Sequence, residues 1–191
     1  MINVAPPLLI LDRDGVINYD SDAFIKSADE WQPIPGSLAA IARFKRAGWQ
    51  VAVATNQSGI ARGYYDRAAL SAMHRKLHSL LFHEFGVVLD WVCYAPYLTD
   101  QPNAARKPQP GMLRQIGITL NRSIEQQIMV GDTLADVQAA QAAGMRPLLV
   151  RTGKGERTLA QQPGLVNQVP VYDDLAAVAE TLISSQSEQV R

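Results

Sequence analysis

The sequence holds one cysteine, Cys93, among 191 residues, which excludes an internal disulfide. It has no surplus of either charge: Lys and Arg number 18, Asp and Glu 18, and the formal net charge is zero. A general nucleic-acid binder would carry a basic excess, so no nucleic-acid partner is expected. No run of roughly 18 apolar residues occurs, and no membrane span is expected. The start, MINVAPPLLILDRDG, lacks a charged leader and meets acidic residues too early for a signal peptide. These absences make a cytoplasmic protein the economical expectation. There is no repeat, no low-complexity segment and no internal linker. One domain over residues 1–184, followed by a polar, frayed tail at 185–191, accounts for the length.

What is present is a series of short apolar runs. LLILD at 8–12, VAVATN at 51–56, QIMVGD at 127–132 and RPLLVRTG at 146–153 are nearly continuously apolar, as strands buried on both faces should be. LDWVCYA at 89–95 is a weaker fifth. Helical patterns lie between them. GSLAAIARFKRAG places Leu38, Ile41, Ala42 and Phe44 on one face. YDRAALSAMHRKLHSLLFHEFG offers Asp66 as an N-cap and Gly86 as a stop. PGMLRQIGITL, TLADVQAAQAAG and DDLAAVAETLIS complete the series. Strands alternating with helices predict an α/β fold, a doubly wound and mostly parallel sheet covered on both faces. Such sheets bind ligands beyond the carboxyl ends of their strands. The irregular stretches 18–36 and 96–109 both follow strands and should overhang that edge.

The polar residues at the strand ends then fall together. Asp12 and Asp14 follow the first run, Thr55 and Asn56 end the second, Lys107 follows the fifth, and Asp132 ends the QIMVGD run with Asp136 four residues on. Residues i and i+2 of an extended segment point the same way, so Asp12 and Asp14 can face one ligand. Carboxylates crowded together repel unless a cation sits between them, and oxygen ligands suit Mg²⁺. A lysine and a hydroxyl nearby suit a phosphoryl group.

Four motifs in order, LDRDG, ATNQSG, RKPQPGM and VGDTLAD, make the chain resemble the haloacid dehalogenase superfamily of phosphohydrolases. DRDGVIN, TNQSGIARGYY, RKPQPGM and LVRTGKG narrow the resemblance to the D-glycero-D-manno-heptose 1,7-bisphosphate phosphatases, which serve the heptose precursor of lipopolysaccharide. Histidinol-phosphate phosphatases carry similar motifs and are the alternative. The resemblance implies a Mg²⁺-dependent phosphomonoesterase acting on a small sugar bisphosphate. It implies that Asp12 is the nucleophile and that Asp14 is the acid and base. Thr55 and Lys107 would hold the transferring phosphoryl group. Asp12, Asp132 and the Asp14 carbonyl would hold the metal. Asp20, Asn56, Gln57, Ser58 and Arg106 would contact the sugar or its remote phosphate. Arg62 is a further candidate for that phosphate.

Two departures bear on specificity. Members of this family often carry a zinc-stabilised loop. Here Cys93 stands with Ala95, Asn103 and Ala105 where the other ligands would be. One thiolate cannot make a tetrahedral site, so no structural zinc is expected. The loop 95–105 would be ordered by packing of Tyr94, Tyr97 and its prolines, or be mobile. Neither irregular stretch is long enough for a folded cap domain, so the site should be open. A monomer is expected by family analogy.

The blander readings are also testable. Asp136 can be a neighbour of the metal site or a helix cap. His74 and His78, at i and i+4, read as helix-surface histidines rather than a metal pair. Cys93, Trp31, Trp49 and Trp91 read as core or loop packing. A receiver-like regulatory domain would place its phosphorylated aspartate after the third strand, and would leave Asp14 without a task. A non-catalytic sugar-phosphate binder would not need both Asp12 and Asp14.

Overall fold

The apolar runs become six strands of one sheet, and the amphipathic segments become the helices on its two faces. A computed structural model of the chain describes residues 6–101 and 103–189. In chain order the elements are β1 (Leu8–Leu11), α1 (Ser37–Arg46), β2 (Gln50–Asn56), α2 (Arg67–Phe85), β3 (Trp91–Ala95) and α3 (Gly111–Thr119). They continue with β4 (Ile128–Gly131), α4 (Leu134–Ala142), β5 (Arg146–Val150), α5 (Gly155–Gln161), β6 (Val171–Tyr172) and α6 (Leu175–Gln189).

The strand order is β3-β2-β1-β4-β5-β6, and every pairing is parallel. The chain therefore winds outward from β1 in both directions. The crevice at the carboxyl end of β1 is the switch point at which such sheets bind ligands. Alternation along the strands feeds two cores. Leu9, Leu11, Val51, Val53 and Val130 pack towards α1, α2 and α6. Leu8, Ile10, Ala52, Ala54 and Met129 pack towards α3 and α4. Burying each such Leu or Ile side chain contributes ~1.5–3 kcal/mol, so the central strand is held from both sides.

Several local expectations are met and several are refined. Asp66 caps α2 by accepting from the Ala69 N–H, and Gly86 closes that helix in the left-handed region at φ 68°. β3 gave the weakest pattern because it is an edge strand; Trp91 is exposed there, which corrects its reading as packed. The short β6 and α5 lay in a stretch with no apolar run long enough to announce them. Residues 185–189, read as a frayed tail, continue α6, and residues 190 and 191 lie outside the described residues. Among the described residues no helix is long and apolar enough to cross a membrane.

Residues 19–32 form a flap rather than a folded cap. Its neck is closed by the Tyr19 N–H bond to the Gln32 carbonyl (3.0 Å) and by the bridge between Asn18 and Pro33. The 95–110 loop is ordered by hydrogen bonds more than by aromatic packing. Gln57 N donates to the Ala95 carbonyl (2.8 Å), Ala105 N to Asn103 Oδ1 (2.8 Å) and Gly111 N to the Ala104 carbonyl (2.9 Å). Gly111 is needed there, because a Cβ would fall on that Ala104 carbonyl. Tyr97 is 38% exposed, and Pro102 lies outside the described residues.

Candidate active site

A cleft of about 310 Å³ opens at the carboxyl ends of β1, β2 and β4. It is lined by Asp12, Asp14, Asp20, Thr55, Asn56, Gln57, Ser58, Arg106, Lys107 and Asp132, together with the flap residues Ser21, Asp22, Phe24 and Ile25 and with Tyr65 and Lys154. Of the expected site residues only Arg62 lies outside it; Arg62 is exposed on the rim.

At the floor, Lys107 is the organising charge. It is 2% exposed, and its Nζ lies 3.0 Å from Asp12 Oδ2, 2.6 Å from Asp136 Oδ1 and 2.7 Å from the Ala54 carbonyl. Burial alone would lower its pKa, but Asp12 and Asp136 outweigh that and hold it charged. Asn56 fixes the backbone beneath it: Asn56 Nδ2 donates to the Lys107 carbonyl (3.0 Å), and Lys107 N donates to Asn56 Oδ1 (3.1 Å). Asn56, expected to contact the sugar or its remote phosphate, lines the cleft and also positions the lysine backbone.

The carboxylates that converge are Asp12, Asp132 and Asp136, each offering an oxygen within 4.8 Å of the others. Asp14 was expected to reach the metal through its backbone carbonyl, and its side chain is not part of this cluster. Asp136 has both of the roles left open for it. Its Oδ2 accepts from Thr133 N (3.0 Å) and Thr133 Oγ1 (2.6 Å) at the start of α4, while Oδ1 faces Lys107. Gly131 makes this possible, since a Cβ would collide with the Asp136 side chain.

Burial, reinforced by Asp136 and Asp14 against the pull of Lys107, pushes the Asp12 carboxyl up to about 7. Burial, with Asp136 and Asp12, raises Asp132 well above the ordinary range. Asp132 Oδ2 accepts from the Lys154 N–H (2.7 Å), but Asp132 Oδ1 is buried with no hydrogen-bond partner. An orphaned carboxylate oxygen beside two crowded carboxylates fits a hard divalent cation.

Asp14 sits in a different environment. Arg13, fully buried, grips it: Nη2 donates to Oδ1 (2.8 Å) and Oδ2 (3.0 Å), and Nε to Oδ1 (3.1 Å). Asn18 Nδ2 (2.8 Å) and Gln57 Nε2 (2.8 Å) complete the shell. Burial would raise this carboxyl, but Arg13 and these donors hold it below the usual range. Gln57 also donates to Thr55 Oγ1 (2.8 Å) and accepts from the Tyr65 hydroxyl (2.5 Å). Gln57, expected to contact the sugar or its remote phosphate, lines the cleft and also ties Asp14, Thr55 and Tyr65 together. His74, expected on a solvent face, is largely buried with Nε2 3.3 Å from Arg13 Nη1; burial and then Arg13 push it down to about 4.

Sequence reasoning missed Arg13 and Lys154. Arg13 lies between the two aspartates, and alternation already turned it to the opposite side of the strand end. Lys154 lies in RTGKG after β5, and the strand-end rule applied to that run would have found it. Arg106 borders the cleft; its Nη2 donates to Thr99 Oγ1 (3.1 Å), and its Nη1 is buried without a hydrogen-bond partner. Burial, and then the charge of Arg62, lowers its pKa.

A family profile described as "HAD-hyrolase-like" matches residues 104–178. The chain is 54% identical over 176 residues to the D-glycero-beta-D-manno-heptose-1,7-bisphosphate 7-phosphatase of Pseudomonas putida, covering 92% of this chain and 99% of that one. It is 43% identical to the enzyme of that name from Neisseria meningitidis, covering 94% and 96%. Among solved structures, the D,D-heptose 1,7-bisphosphate phosphatase of B. bronchiseptica, complexed with magnesium and phosphate, superposes with a TM-score of 0.89. That match has 51% identity and covers 94% and 99% of the two chains. The chain belongs to the haloacid dehalogenase-like hydrolases, within the heptose bisphosphate phosphatase family, and is a phosphoric monoester hydrolase.

Proposed function

We propose that this hydrolase removes the 7-phosphate of D-glycero-β-D-manno-heptose 1,7-bisphosphate in the cytoplasm, through a phosphoaspartate on Asp12. The observation that carries the reading is the convergence of Asp12, Thr55, Lys107 and Asp132 on the floor of one cleft at the β1 switch point. The relatives' activity supplies the sugar.

Asp12 and Asp132 would hold Mg²⁺, with the Asp14 carbonyl as a third donor and Asp136 behind them. Bound there, the ion supplies positive charge that offsets the crowded carboxylates and the incoming phosphate. An Asp12 carboxyl pushed to about 7 would be half protonated near neutral pH without such a cation. Ionised, its oxygen attacks phosphorus, and the bond to the sugar oxygen breaks. Lys107 and Thr55 compensate the charge on the transferring group. The leaving oxygen takes a proton from Asp14. Water then attacks phosphorus, Asp14 takes its proton, and Asp12 and inorganic phosphate are released. The shell around Asp14 favours the ionised form, which suits the second half-reaction. The first half-reaction requires Asp14 to gain a proton against Arg13.

Arg106, which lines the cleft and has an unpartnered Nη1, would take the remote phosphate with Arg62, whose charge lies near it. The 95–105 loop leads directly into Arg106 and so adjoins that end. The test is turnover with Mg²⁺ on both anomers of the bisphosphate, on histidinol phosphate and on generic sugar phosphates. A preference for one bisphosphate anomer by several orders of magnitude in kcat/KM is expected. A preference for histidinol phosphate, or flat low activity across the panel, would remove the heptose assignment and keep the phosphatase.

A further inference from the structure

Lys154 touches both the phosphoryl site and the recognition flap. Its backbone N–H donates to Asp132 Oδ2 (2.7 Å), while its Nζ lies 2.6 Å from Asp20 Oδ2 at the flap's start. The turn that carries it is locked in place. Thr152 Oγ1 donates to the Gly15 carbonyl (2.7 Å), Thr158 Oγ1 to the Asp132 carbonyl (2.9 Å), and neither Gly15 nor Gly153 leaves room for a Cβ. Lys154 is thus mounted on the turn that packs against Asp132, and its side chain reaches out to the flap at Asp20.

The flap spans the cleft mouth from this side to the other. Beyond Asp20, Asp22 meets Arg157 of α5 (2.9 Å), and Phe24 packs its ring on Tyr64 across the opening (centroids 5.0 Å apart). Phe24 adopts φ 65°, a left-handed conformation that a bulky side chain takes only when its surroundings impose it. Charge gives the arrangement a purpose. The cleft lining carries Asp12, Asp14, Asp20, Asp22 and Asp132, and a substrate with two phosphates must approach them. Lys154 cancels the flap's nearest carboxylate and fixes where it stands.

We infer that Lys154 is a positioning residue for substrate recognition: through Asp20 it holds the 19–32 flap in register with the phosphoryl site. This deepens the sugar bisphosphate reading and rests on it for the kinetics alone. Its backbone contact to Asp132 survives substitution, so Lys154→Met removes the tether selectively.

Hydrogen–deuterium exchange on the free full-length protein reads the tether without any substrate. Exchange at residues 19–25 should quicken about tenfold in Lys154→Met and in Asp20→Asn, and no further in the double variant, while the central strands keep their protection. Lys154→Arg should restore the wild-type rate. Unchanged flap exchange, additive effects, or faster exchange throughout the molecule would each overturn the inference. In turnover, Lys154→Met should raise KM for the bisphosphate about tenfold with a smaller change in kcat. It should have less effect on p-nitrophenyl phosphate, which has no second phosphate. Equal losses on both compounds would overturn the role in recognition. If the wild type shows no preference for the bisphosphate, the proposed substrate falls, and the exchange result still decides the tether.

Discussion

Asp12 and Asp14 leave the same strand two residues apart, yet the fold shifts them in opposite directions. Asp12 is pushed up to about 7 by burial among other carboxylates, and Asp14 is held low by Arg13. Burial opposes ionisation at both. The difference is the balance of neighbours. Asp12 shares one lysine with Asp136, while Asp14 accepts from a guanidinium, an asparagine and a glutamine with no other carboxylate among the described residues competing for them. One carboxylate is therefore poised for a cation that the protein does not itself supply. The other is already satisfied and is held in place. Asp14 is gripped by Arg13 and Asn18 of its own loop and by Gln57 just after β2, whereas Asp12 meets Lys107 from the loop before α3 and Asp136 from α4.

The largest expected contrast is in activity and stability together. Asp12→Asn should lower kcat by at least ~10⁴-fold, because no other group can accept the phosphoryl. Its melting temperature should hold or rise, since a crowded carboxylate is removed. Asp14→Asn should slow both half-reactions by ~10²–10⁴-fold. It should also destabilise the fold by about 3 kcal/mol, since it strands a buried guanidinium. Equal stability of the two variants would mean that the Arg13 grip contributes nothing.

A smaller effect separates the two sites by pH. A raised carboxyl pKa means that the folded state binds more protons than the unfolded state between pH 4 and 7. Asp12 should thus cost stability as pH rises through that window, by about 4 kcal/mol without metal. Melting curves in chelator, wild type minus Asp12→Asn, should show this slope, and Mg²⁺ should abolish it. His74 gives the opposite sign. With its folded pKa near 4, the unfolded state binds the extra proton below pH 6.5. Stability should fall with pH from 6.5 towards 4 by about 3 kcal/mol. His74→Gln should flatten that part of the curve; an unaltered slope would mean that the ring is not held neutral.

Much of this was legible in the chain itself. Continuous apolar runs announced the buried parallel strands, because such strands have no polar face to alternate with. The residues ending those runs, Asp12, Asp14, Thr55, Lys107 and Asp132, announced the cleft, because parallel strands deliver their carboxyl ends to one edge. The edge strands β3 and β6 were faint because half-exposed or very short strands need little apolar sequence. The flap and the 95–110 loop were marked only as irregular.

The sequence by itself determined the sheet, its edge and the chemical types gathered there, since periodicity and strand polarity are properties of the chain. Only the tertiary structure decided which partner each group received. It gave Asn56 and Gln57 partners within the protein, at the Lys107 backbone and at Asp14, Thr55 and Tyr65, and drew Asp136 into the acidic cluster. It also buried Arg13 and His74 and linked Lys154 to the flap. Those assignments depend on contacts between residues as far apart as Asp20 and Lys154. Desolvation acts only after such residues meet, so no local pattern can foretell which charge goes to which partner.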